Sequence, residues 1–191
     1  MILGITGGTG CGKTTLLKVL ESAGFRILDC DAIYHRLLET DNALLAAIED
    51  RFPGTVEGGQ LQRKKLGTIV FRDEAALLDL NRITHGAVKA EVLRLLESSP
   101  GNAAIDAIAL FEGELAELCD ATVAVTAPEE ARVRRLMARD GISESYARSR
   151  IAAQHSGDWF RQRCDYFLEN DSTMVAFRDK CLAFGRDLGI M

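Results

Sequence analysis

The sequence predicts an α/β fold in which helices cover a buried parallel sheet, and two observations carry that expectation. Short apolar or β-branched runs at 2–6, 25–28, 103–108, 121–125 and 166–168 alternate with amphipathic stretches, the pattern of strands buried on both faces between crossover helices. The chain has 191 residues and is 47% apolar, enough to bury one sizeable core while staying within the range of a single domain.

The first run opens the chain directly, without a preceding basic region and at a length too short for a signal peptide. No stretch approaches the roughly 18 to 20 apolar residues that a membrane span needs, so a soluble, cytoplasmic protein with no membrane partner is expected. Immediately after this run comes Gly7-Gly8-Thr9-Gly10-Cys11-Gly12-Lys13-Thr14, which satisfies G-x-x-x-x-G-K-[ST] between a strand and the helical run 14–22. Glycines open backbone angles closed to other residues, so successive N–H groups can turn inward onto phosphate oxygens, helped by the positive end of the following helix. Lys13 then reaches the β and γ phosphates and the Thr14 hydroxyl ligates Mg²⁺; the pattern points to ATP with Mg²⁺. Cys11, among inward N–H groups and beside Lys13, is expected to have a lowered pKa and a reactive thiol, or simply to fill a place where a small residue fits.

The second strand runs into Asp29-Cys30-Asp31. If the chain stayed extended, period-two alternation would send both carboxylates to one side, and at the carboxyl end of a strand that side faces the ligand crevice. The alternative is that one of them caps the helix beginning near Ala32. Residues 32–98 form an insertion too long for a simple crossover, broken at Phe52-Pro53-Gly54 and Gly58-Gly59. Several helices joined by turns are expected there, one with Leu77, Leu80, Ile83, Ala87, Ala90 and Leu93 on its apolar face.

Asp106 lies inside the apolar run 103–111, where a carboxylate either holds Mg²⁺ in the Walker B manner or is a hydrogen-bonded structural acid. Glu112 closes that run. Between 132 and 163 stand eight arginines, no lysine and three acids, a local balance of 8 − 3 = +5. Arginine suits bidentate contact with phosphate oxygens, so this segment reads as a lid over a nucleotide. Arg135 and Arg139, four apart, share a helical face and can converge on one phosphate chain. The last helix is expected over about 174–187.

Composition narrows the function classes. Twenty-three basic against 28 acidic residues leave a net charge of −5, which offers nucleic acid no global attraction. Five cysteines without a C-x-x-C pair argue for neither disulfides nor a zinc site, and the three scattered histidines do not form a metal set.

Taken together, these stretches resemble the dephospho-CoA kinases. The likeness rests on the loop from Gly4 to Thr14, Asp29-Cys30-Asp31, Ile69-Val70-Phe71, Ile83-Thr84-His85, Leu110-Phe111-Glu112, Arg135-Leu136-Met137-Ala138-Arg139-Asp140-Gly141, Arg150-Ile151-Ala152-Ala153-Gln154 and Asp165-Tyr166-Phe167-Leu168-Glu169-Asn170. The resemblance implies a three-layer P-loop fold with a five-stranded parallel sheet, a helical acceptor-binding insertion at about 32–98 and an arginine-bearing lid at about 131–163. The core would comprise 1–31, 99–130 and 164–191 of a single kinase domain. It implies phosphorylation of the ribose 3′-hydroxyl of dephospho-CoA by ATP, by a monomer or small homo-oligomer. It further implies that Gly8 to Thr15, Arg135 and Asn170 serve the nucleotide, and that Lys13, Arg139 and Asp31 act in catalysis, with Asp31 on the acceptor hydroxyl. Thr14 and Asp106 would serve the metal, and His35, His85, Leu110, Phe111 and Glu112 the acceptor. Departures from the family pattern are Cys11 for serine, Gly86 for proline, Gln62 for aspartate and Ile108-Ala109 for Pro-Leu. The rival readings are a kinase of another small hydroxyl compound, a nucleotide binder without catalysis, and a GTP switch, for which Asn-Lys-x-Asp is missing.

Overall fold

A computed structural model describes residues 1–190. The chain divides into two compact units, one of residues 1–28, 101–110 and 115–191, the other of 29–100 and 111–114.

The first unit is built on a five-stranded parallel sheet. Its strands are β1 (Ile2–Thr6), β2 (Arg26–Asp29), β5 (Ala103–Asp106), β6 (Ala121–Thr126) and β7 (Tyr166–Glu169), in the order β2-β5-β1-β6-β7. All five expected strands form, although β5 ends at Asp106, two residues before the apolar run does. β1 is central: Leu3 faces Ala104 on one side and Ala121 on the other. Leu3, Ile5, Ala104, Val123 and Val125 are fully buried, as continuous apolar strands must be when helices cover them. Helices α1 (Lys13–Ser22) and α9 (Met174–Asp187) supply Leu16, Leu17, Leu20, Phe177, Cys181 and Phe184 to the same cluster. Helices α6 (Glu129–Asp140) and α7 (Glu144–Ala152) meet over Val133, Leu136, Ala147 and Ile151, and the short α8 (Gly157–Arg161) precedes β7.

The second unit is helical: α2 (Cys30–Thr40), α3 (Asn42–Arg51), α4 (Arg63–Val70) and the 25-residue α5 (Glu74–Ser98). Three of these helices begin on aspartates whose carboxylates accept first-turn N–H groups: Asp29 for α2, Asp41 for α3 and Asp73 for α5. Two expectations are corrected. Between α3 and α4 the chain forms an antiparallel hairpin, β3 (Val56–Glu57) and β4 (Gln60–Leu61), rather than a plain turn. Gly58 and Gly59, with φ of 58° and 76°, supply its two left-handed positions. In α5 the buried seam is Ala76, Thr84, Val88 and Val92, while Ala90 and Leu93 are exposed. The helix is thus turned from the face that leucine spacing suggested. Thr84 tolerates burial because its hydroxyl donates to Leu80 O at 2.9 Å.

Candidate nucleotide and acceptor sites

The loop between β1 and α1 has the geometry of a phosphate cradle. Gly12, at φ 102°, is the N-cap of α1, with no side chain capping the helix and no acid in its first turn. The N–H groups of Lys13 and Thr14 at the start of α1 are therefore left for an external anion, as at the start of any helix without a capping side chain. Backbone bonds from Cys11 N to Gly8 O at 3.2 Å and from Thr15 N to Gly12 O at 3.0 Å hold the loop's curvature. Lys13 folds back so that its Nζ donates to Gly7 O at 3.1 Å and lies 3.8 Å from Asp106 Oδ1. Strand β5 thus presents a carboxylate oxygen to the lysine of the loop, and Thr14 is exposed beside it.

Four side chains brace the cradle from behind. Asn170, buried at the end of β7, donates Nδ2 to Cys11 O at 2.9 Å. Its Oδ1 accepts from Arg135 Nη2 at 3.2 Å, and Arg135 Nη1 donates to Gly10 O at the same distance. Arg132, which sequence reasoning counted only as one of eight, donates Nε to Thr9 O at 2.9 Å. Its Nη2 donates to Gln154 Oε1 at 2.9 Å, and the same oxygen accepts from Thr9 N at 2.8 Å. Gly8 makes room for this close approach: a Cβ there would stand 2.2 Å from Arg132 Nη2 and push the guanidinium away.

Several expectations change. The Arg135 and Arg139 guanidinium groups do not converge: Arg139 binds the Asp140 carboxylate through Nε at 2.6 Å and Nη2 at 2.9 Å. Arg148 pairs with Glu129, Glu130 and Glu144, and Arg150 with Asp140. Arg161 and Arg163 lie over the Phe167 and Trp159 rings. Several arginines of the segment are thus engaged locally in ion pairs or on rings, and of these arginines it is Arg132 and Arg135 that bond to the loop. Cys11 is 1% exposed and burial pushes its thiol up despite nearby Lys13, so the expected reactive thiol is replaced by a core side chain. Asp29 and Asp31 do not share one extended face: β2 ends at Asp29 and helix α2 starts at Cys30, so Asp29 caps the helix by accepting from Ala32 N at 3.0 Å and Asp31 lies exposed in its first turn.

In the helical unit, His85 Nδ1 lies 3.3 Å from Glu112 O, and His35 Nδ1 lies 3.2 Å from Arg63 Nη2. His85 and Glu112 line a cavity of about 410 Å³, together with Asn81, Arg82, Gly86 and Lys89. Phe111 is partly exposed, whereas Leu110 is fully buried and belongs to the sheet unit. Among the described residues no helix is long and apolar enough to cross a membrane, and no three His, Cys, Asp or Glu side chains cluster as a metal site.

A parallel sheet whose central strand feeds a glycine loop, a lysine and an uncapped helix defines a P-loop nucleotide-binding fold, the class that includes the small-molecule kinases. The model of the dephospho-CoA kinase family matches residues 1–176. A dephospho-CoA kinase of Syntrophotalea carbinolica is 36% identical over 190 residues, which is 96% of this chain and 90% of that one. A crystal structure from Thermus thermophilus superposes with a TM-score of 0.82 at 33% identity, covering 98% of this chain and 96% of that one. A dephospho-CoA kinase from Campylobacter jejuni has a TM-score of 0.70 at 24% identity, covering 100% and 98%, and shows the shared fold. The chain belongs to the dephospho-CoA kinase family.

Proposed function

We propose that this enzyme transfers the terminal phosphoryl group of ATP to the ribose 3′-hydroxyl of dephospho-CoA, giving CoA and ADP, the last step of coenzyme A synthesis, in the cytoplasm. The observation that carries the reading is the cradle from Gly7 to Thr14, open at the α1 N-terminus and braced by Arg135 and Asn170. Its N–H groups and Lys13 bind the phosphates and offset charge on the group in transfer. The acceptor oxygen forms its bond to the γ phosphorus as the bond to the β,γ-bridging oxygen breaks, and Asp31 orients the hydroxyl and takes its proton. His35, His85, Leu110, Phe111 and Glu112 are assigned to the acceptor, and Arg139 to ATP once it leaves Asp140.

Mg²⁺ fits this donor set. A hydroxyl at Thr14 and a carboxylate at Asp106 are hard oxygen ligands of the kind magnesium takes when phosphate oxygens and water complete its shell. The ion supplies neutralisation of the phosphate charge. The test is direct: purified protein with ATP, Mg²⁺ and dephospho-CoA, followed by mass for CoA and ADP. Formation of both is expected. ADP formation with a different hydroxyl acceptor, and none with dephospho-CoA, would overturn the acceptor assignment alone.

A further inference from the structure

The bond between the tip of the phosphate loop and Gln154 has no place in the chemistry above. The Thr9 N–H is one of the loop amides suited to a phosphate oxygen, yet it donates to Gln154 Oε1 at 2.8 Å. The same oxygen holds Arg132 Nη2 at 2.9 Å, while Arg132 Nε is tied to Thr9 O. One neutral oxygen therefore occupies both a loop amide and a guanidinium N–H. We propose that Arg132 and Gln154 read the terminal phosphate of the nucleotide: a γ-phosphate oxygen displaces Gln154 from the Thr9 amide and takes the Arg132 Nη2 that Gln154 releases.

The position of Lys13 says which phosphate is involved. Its ammonium reaches the β and γ phosphates in loops of this type, and here it is bonded to Gly7 O. The first limb of the loop, which carries Thr9, is therefore at the β,γ end, where only a triphosphate fills the γ position. The exchange is favourable for a charged oxygen and not for water, because charge-assisted hydrogen bonds are roughly twice as strong as neutral ones. ADP presents no γ oxygen, and under it the Gln154 contact persists. The motion required is small. Gln154 N is bonded to Ile151 O at 3.1 Å, and the next residue, His155, stacks on Trp159 at 3.7 Å with Arg163 over the same indole. The backbone around Gln154 is thus pinned, and a side-chain rotation, a fast event, completes the swap. Arg132 becomes a phosphate-binding residue and Gln154 its positioning residue.

This inference rests on the kinase reading, and the experiment separates the two. Mg²⁺ with β,γ-imido-ATP, and separately with ADP, is titrated by calorimetry into the intact protein and its variants. Gln154→Ala removes the competitor for the amide and is expected to tighten the triphosphate analogue by about two- to tenfold, the value of one neutral hydrogen bond, with ADP nearly unchanged. Gln154→Glu places a fixed carboxylate on the same two donors and is expected to weaken the analogue by about tenfold or more. Arg132→Ala should weaken the analogue more than ADP, with partial recovery in Arg132→Lys. A merely structural brace would make both Gln154 variants weaken both nucleotides together, and that outcome overturns the proposal, as does an unchanged triphosphate affinity in Arg132→Ala. Should the alanine variant at 154 unfold, the glutamate variant and the arginine series decide. A wild-type protein that binds neither nucleotide sinks the kinase reading itself, whereas normal nucleotide binding without CoA formation leaves this inference standing.

Discussion

Lys13, Asp31 and Cys11 have three different physical fates. Lys13 is pre-placed between Gly7 O and Asp106, so removing its charge removes a preorganised electrostatic contact. Lys13→Ala is expected to lower kcat by at least about 100-fold, measured as CoA formation at saturating substrates by a variant with an unchanged unfolding curve. Asp31→Asn keeps shape but not basicity, and kcat should fall by roughly 10²- to 10⁴-fold with little change in ATP affinity. Loss of ATP-Mg²⁺ binding at unaltered kcat would move Asp31 to the metal and make Asp29 the next candidate base. Cys11 is enclosed, and burial pushes it up as it pushes Cys119 to about 12 and Cys164 to about 11. Iodoacetamide at neutral pH should therefore label Cys11 no faster than the other thiols, and unfolding should release all five; rapid, ATP-protected labelling of Cys11 would contradict the burial. The loop residues were legible because glycine geometry and a lysine at fixed spacing are local features. The sequence left the thiol undecided between a reactive group and a small space-filling residue, because its burial comes from residues far along the chain, among them Phe177 and Cys181 of the same cluster. Arg132 was legible only as part of a count, since nothing in a sequence says which arginine turns inward.

At the level of elements, all five strands were readable: β1, β5 and β6 because a strand buried on both faces is apolar throughout, and the less buried edge strands β2 and β7 because each still carries a short apolar run. Helix faces were harder to read. In α5 the leucine pattern competed with an alternative seam through Ala76, Thr84 and Val88, and only packing against neighbouring helices decides between them. The β3–β4 hairpin is two residues a side, too short for alternation to register. Gly86 stands in the middle of α5 with ordinary backbone angles, and a Cβ there would meet nothing within 4 Å. Gly86→Ala should then raise stability by about 0.5–1 kcal/mol through helix propensity, read as an increase in Tm; a decrease would show contacts that the helix does not display. Strands β6 and β7 carry a different device. Asp165 accepts from both the N and Oγ1 of buried Thr122 at 2.8 Å, and these bonds hold its carboxyl below the usual range. A depressed folded pKa gives stability that is present above the unfolded value and lost as pH falls through the folded one. Asp165→Asn is accordingly expected to cost about 1 kcal/mol near pH 7 and to flatten the loss of stability below pH 4, both measured by urea unfolding across pH.

For the whole molecule, a ligand that binds only the folded chain stabilises it by mass action, so ATP-Mg²⁺ at about 100 times its Kd should add about 2.7 kcal/mol. A Tm independent of nucleotide concentration would contradict the cradle. The same architecture sets a timetable for synthesis. Central strand β1 is the first to be made, yet its end is fastened to Asn102 and Asp120, 101 and 118 residues later in the chain. At translation rates of about 5–20 residues per second, β1 waits on the order of 5–20 s for β5 to emerge. Meanwhile the helices of 29–100 belong to a separate compact unit of which only residues 111–114 are still to come. An apolar strand exposed for that interval is a natural client for a holding chaperone.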